Sequence, residues 1–87
     1  MNKHIELVKK WLANPESVTQ QELEDNLDDA IATYQAATSN PAIAANTAVK
    51  AAHAAYYGGV YYVKNASYTD AAKYWVNRYE ELNKGQE

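Results

Sequence analysis

The chain has no cysteine and no phenylalanine, and only three glycines and two prolines. Without cysteine there is no disulfide framework, no thiolate metal site and no cysteine nucleophile. Basic residues are missing from a long internal span. No Lys or Arg lies between Lys10 and Lys50, while Glu16, Glu22, Glu24, Asp25, Asp28 and Asp29 all do. The other segments hold 8 basic and 5 acidic residues, so the net charge of -3 is unevenly placed. That balance argues against direct nucleic-acid binding, which needs a basic face. An uninterrupted apolar run is also lacking in MNKHIELVKKWLANPE. The reading is therefore no signal peptide, no membrane span and a cytoplasmic location.

What is present points to helices. The 87 residues make one domain, 1–87. A chain of this size buries only about 60% of its unfolded surface, so self-association into a homo-oligomer is expected. Eight tyrosines replace the missing phenylalanine. Tyrosine offers apolar area with a hydroxyl that needs a partner, which suits half-buried positions and interfaces. Ile5, Val8, Trp11 and Leu12 share one face of a helix predicted at 3–13, which Asn14-Pro15 ends. A second helix, 20–38, starts with Thr19 as cap and Glu22 as the reciprocal capping-box residue, and Val18 and Leu23 form a hydrophobic staple. Its stripe is Leu23, Leu27, Ile31 and Tyr34, and Thr38-Ser39-Asn40 closes it.

Asn40-Pro41 restarts a helix as cap and first-turn proline. This third helix, 41–64, is apolar nearly all round. Ile43, Ala51, Ala54, Gly58 and Tyr61 lie on one face, and Val49, Ala52, Tyr56, Val60 and Val63 lie opposite. Such a helix belongs in the middle of a bundle or at a subunit interface. The fourth, 68–84, has Ser67 as cap, the stripe Ala71, Ala72, Trp75, Val76, Tyr79 and Leu82, and Gly85 after its last turn. The expected fold is an all-α, four-helix antiparallel bundle.

The stretch AYYGGVYY, 55–62, is the one ambiguous segment. Gly-Gly is a recognised hairpin turn, but AAHAAYY before it is strongly helical and YYVKNAS after it is short for a paired strand. A continuous helix is the favoured reading, with a kink or a hairpin as alternatives. Two mid-helix glycines cost roughly 2 kcal/mol relative to alanine, which close packing must offset. On that basis Gly59→Ala is expected to destabilise by about 1–3 kcal/mol, with Gly58→Ala milder.

Gly59, Tyr62, Tyr68, Ala71 and Trp75 keep the order and spacing of a tetratricopeptide repeat over residues 52–81. The segment resembles one helical hairpin of that family, departing at Gly58, where leucine is usual, and at Arg78, where alanine is usual. The resemblance implies helix packing around Gly58, Gly59, Ala71 and Trp75, and a turn near Asn65 to Ser67. No second copy lies about 34 residues upstream, so there is no repeat array. The two ends, HIELVKKWLANPESVTQQELEDN and DAAKYWVNRYEELNKG, resemble those of short accessory proteins of tailed bacteriophages. That resemblance implies binding and disabling of a host factor such as a restriction, CRISPR or nucleotide-signalling defence. It names no target.

Catalytic patterns are weak. His4 and His53 fall on different helices, and there is no phosphate loop or nucleophile motif. His4-Ile5-Glu6 turns its polar groups to different faces. Asp25, Asn26, Asp28 and Asp29 lack the glycine and terminal glutamate of a calcium loop. Tyr61 and Lys64 match a reductase dyad by type alone. The expectation is a protein that is not an enzyme and uses no cofactor or metal.

Two binding candidates remain. Lys50, His53, Tyr57, Tyr61 and Lys64 recur at helical spacing and form one line. Its rings suit stacking on a base or partner side chain and its lysines suit an anion. The competing reading is a half-buried tyrosine seam whose lysines reach out to water. Tyr74 and Arg78 are i,i+4 neighbours of residue types enriched at interface hot spots, against an ordinary stacked surface pair. Inhibition of a host protein in the host cytoplasm is the leading expectation. The alternatives are sequestration of a nucleotide by the Tyr/Lys line and a structural adaptor.

Overall fold

A computed structural model describes residues 2–37, 40–61 and 66–84. They form four helices, α1 (Lys3–Ala13), α2 (Gln20–Ala36), α3 (Asn40–Tyr61) and α4 (Ala66–Lys84), with a 3-10 turn at Pro15–Ser17. No strand occurs among the described residues. Cross-helix contacts set the directions. His4 meets Asp29, Gln20 meets Tyr56, and Tyr57 meets Tyr68 while Lys50 meets Trp75. In each pair of neighbouring helices the early part of one meets the late part of the next, so the bundle is antiparallel. The all-α four-helix expectation holds.

The caps explain where the first two helices begin. Asn2 Oδ1 accepts hydrogen bonds from His4 N at 2.8 Å and Ile5 N at 3.2 Å, opening α1. Asn14 then serves twice. Its extended backbone, forced by the following proline, ends α1, and its Oδ1 accepts from Glu16 N at 3.2 Å to start the 3-10 turn. The predicted capping box is complete: Thr19 Oγ1 accepts from Glu22 N at 3.0 Å, and Glu22 Oε1 accepts from Thr19 N at 2.9 Å. Val18 and Leu23 are both buried in the same core cluster.

Several expected boundaries shift. α2 ends at Ala36, not residue 38, with the Ala37 N–H bonded to Tyr34 O. α3 starts at Asn40, one residue early, and runs through Gly58 and Gly59 as one helix, which excludes the hairpin. α4 starts at Ala66, so Ser67 lies inside the helix instead of capping it. Thr38, Ser39, Tyr62, Val63, Lys64, Asn65 and Gly85 lie outside the described residues.

α3 packs against all three other helices, the central place its apolar circumference suggested. Its buried surface is alanine: Ala48, Ala51, Ala52, Ala54 and Ala55 are buried, and small side chains let neighbouring backbones come close. The larger apolar residues of α3 behave differently from the expectation. Ile43 is 58% exposed and Val60 is 49% exposed. The α2 stripe is likewise corrected, since Leu23 is buried, Leu27 and Ile31 are half-buried and Tyr34 is exposed. The cause is the length of α1. Its first residues, Lys3 and His4, meet α2 at Asp29, so α1 does not cover the part of α2 that follows.

The glycines face all three other helices. A Cβ added to Gly58 would lie 2.5 Å from Trp11 Cη2 and 3.2 Å from Tyr68 Cβ. One added to Gly59 would lie 2.8 Å from Leu23 Cδ1 and closer still to Gln20 Oε1. The expected ranking of the two positions is therefore reversed. At Gly58 the obstacle is a rigid indole buried in the core, whereas at Gly59 it is the far end of a glutamine and a leucine methyl, which can rotate aside. Gly58→Ala is expected to destabilise by about 1–3 kcal/mol. Gly59→Ala should cost less, because the exposed end of Gln20 can move aside there, whereas the helix preference of alanine, about 1 kcal/mol, favours both variants alike. Urea melts of both variants test this, and a stabilised Gly58→Ala protein would contradict the packing account.

At the α1–α2 junction, Asp29 Oδ2 lies 2.8 Å from Lys3 Nζ and 3.2 Å from the Nε2 of the buried His4. Asn26 Nδ2 donates to His4 O at 3.2 Å. Hydrogen bonds from Lys3 and then His4 hold the Asp29 carboxyl below the ordinary aspartate range. With its folded-state pKa depressed, the stabilisation is present in full above the unfolded value of about 3.9 and is lost as pH falls through the folded value. Asp29→Asn should be less stable than the wild type at neutral pH and should show a shallower loss below about pH 4. Urea midpoints measured down the acid range check this, and parallel curves would exclude the contribution.

Candidate functional site

The α3–α4 groove gathers most of the residues singled out in the sequence. The period of α3 brings Lys50, His53 and Tyr57 to its α4 side, and the stripe of α4 answers with Tyr68, Ala71 and Trp75. Lys50 Nζ sits 4.6 Å from the centre of the Trp75 ring, a cation–π contact between an exposed lysine and a half-buried indole. The Tyr57 ring lies between others: its centre is 4.5 Å from His53, 5.1 Å from Tyr56 edge-on, and 6.1 Å from Tyr68, which stacks at 25°. The line therefore makes the helix–helix contact itself. Lys50, His53 and Tyr57 are brought together; Tyr61 belongs to α3, but its side chain lies outside the described positions, as does all of Lys64.

The second candidate sits at the outer edge of the same groove. Tyr74 is 59% exposed, yet its ring is braced edge-on against Trp75, with centres 4.8 Å apart and planes at 82°. Trp75 in turn carries Lys50 on its face. Arg78, one turn on, is exposed and forms an i,i+3 ion pair with Glu81, Nη1 to Oε2 at 3.2 Å. The order of contacts is Lys50 on Trp75 on Tyr74, which leaves the outermost ring packed on one edge and otherwise exposed. The bracing by Trp75 was not read from the sequence. Adjacent helix residues diverge by about 100°, and only large rings span that angle.

The glycine positions and Ala71 serve packing. Gly58 is buried, and Gly59 and Ala71 are half-buried. Beside Gly59 is a partly enclosed cavity of about 240 Å³ walled by Trp11, Pro15, Val18 and Leu23, with Glu16 and Gln20 at its rim. Gln20 Nε2 reaches across to donate to Tyr56 O at 3.1 Å. The acidic first turns of α2 line an open depression with Lys3 and Leu7. Among the described residues, no group of three or more His, Asp or Glu is placed to hold a metal ion. None of their buried side-chain nitrogens or oxygens lacks a partner. No described helix is long and apolar enough to cross a membrane.

No protein-family model, curated protein or solved structure matches the chain.

The two roles of the groove separate by stability. Tyr57→Ala should destabilise by about 2 kcal/mol or more, less than a fully buried aromatic loses. Lys50→Met should cost less than about 1 kcal/mol, the scale of an exposed cation–π contact. Chemical denaturation of both variants decides between them. A Tyr57→Ala protein as stable as the wild type would remove the seam from the list of structural elements.

Proposed function

We propose that the protein is a non-enzymatic accessory protein of a tailed bacteriophage that binds and inhibits a host protein, in counter-defence of the anti-restriction or anti-CRISPR type. It would act in the host cytoplasm. The observation that carries the binding part of this reading is Tyr74, an exposed ring set edge-on against Trp75 with an exposed arginine one turn away. A ring that packs on a neighbour has fewer rotamers to lose on binding than one free in water. Tyrosine and arginine are the types that dominate interface energetics when buried by a partner. The resemblance of the two ends to phage accessory proteins supports the biological setting.

The nucleotide reading is less well supported, because Tyr57, one of the two rings that would stack on a base, already packs against other rings; the Tyr61 side chain lies outside the described positions. Tyr57 has His53, Tyr56 and Tyr68 around it, and Trp75 has Lys50 on its face.

A tagged pull-down from host lysate, with mass spectrometry and a parallel metabolite extract, tests the proposal. The expected result is one protein captured at stoichiometric amount by the wild type. The complex should weaken by about 2 kcal/mol, roughly thirtyfold, with Tyr74→Ala. A co-purifying nucleotide with no protein partner would replace this reading with the nucleotide one, and capture unaffected by Tyr74→Ala and Arg78→Ala would remove the proposed surface.

A further inference from the structure

From Ala30 to Val49 the chain carries no charged residue. This span is the end of α2 and the first half of α3, joined as an antiparallel hairpin. It holds two of the four large apolar side chains that stand exposed among the described residues, Tyr34 and Ile43. Tyr34 lies three residues before Ala37, the C-cap of α2, and Ile43 lies three residues after Asn40, the first residue of α3, so both flank the same end of the hairpin. Ile31, on the same α2 stripe, is half-buried. Because α1 starts level with Asp29, it covers none of this end.

We propose that this end of the α2–α3 hairpin is the docking surface for a second copy of the chain, related by a twofold axis. A twofold contact brings each residue near the axis close to its own counterpart. A face that carries charge of one sign therefore meets the same sign. The first half of α2 would set the carboxylates of Glu24, Asp25 and Asp28 against themselves. The uncharged hairpin end meets itself without a like-charge penalty and removes tyrosine and isoleucine surface from water. Its lack of charge also fits the core of an interface, where charged residues are depleted.

Light scattering and sedimentation equilibrium across the micromolar range test this. The wild-type mass should rise with concentration from 9.7 kDa toward twice that value, and the rise should persist in high salt because no ion pair drives it. Ile43→Glu and Tyr34→Glu should each keep the helical circular-dichroism spectrum and stay at the monomer mass. Val60→Glu, a change at the other exposed aliphatic of α3, should associate like the wild type. A wild-type mass fixed at the monomer value, a dimer that survives both Glu variants, or one that dissolves in salt would overturn the proposal.

Discussion

The contact on which the bundle depends is the seat of Trp11 on Gly58. An indole is the widest side chain that α1 can bring to the core, and it is buried here with its ring against the α3 backbone. Space for it exists because Gly58 has no Cβ and because the α3 positions around it are alanine. With a side chain in that place the ring would be pushed outward, and α1 with it. α1 is only 11 residues long, too short to be a stable helix alone. Its fold is decided by this packing, by the His4–Asp29 junction at one end and by the Lys9–Glu80 ion pair with α4, 3.0 Å. Exposed pairs such as the last add little. The apolar seat carries the weight.

A small-residue face on α3 has consequences on its other sides. Alanines bring α2 and α4 close, but they bury little area of their own. The aromatic side chains between α3 and α4 supply what alanine cannot. Tyr57, Tyr68 and Trp75 fill the groove, and their hydroxyl and ring edges tolerate the water at its margin. This is a physical reason for tyrosine in place of phenylalanine in so small a bundle, where few positions are far from solvent. The same packing sets Tyr74 edge-on against Trp75 at the groove's margin. The surface proposed to bind a partner thus adjoins the residues that close the α3–α4 contact.

The ends of the bundle differ in character for a related reason. Near the α1–α2 turn, α1, α2 and α4 meet α3 at the glycines. At the far end α2 and α3 run on past α1, and side chains patterned for burial stand in water. The acidic turns of α2 lie between these regions, where their charge favours the positive end of the helix dipole.

Much of this architecture was legible in the residues. The end of α1 at Asn14-Pro15, the Thr19–Glu22 capping box and the start of α3 near Asn40-Pro41 all depend on chemistry within four residues, and periodicity gave each helix its type. The packing role of the glycines was also readable, because two mid-helix glycines need compensation. The sequence did not disclose which partner each glycine meets, or that the harsher contact falls at Gly58. It placed Leu27, Ile31, Tyr34 and Ile43 on apolar faces, because hydrophobic spacing marks a face without saying whether another helix is long enough to cover it. It did not reveal that His4 is buried against Asp29 or that Trp75 braces Tyr74. Local order was determined by the sequence alone, since caps and periods act between near neighbours. Exposure, pairing across helices and the choice of which aromatic stands free were decided only in the tertiary structure, because they depend on helix lengths and on how closely distant segments approach.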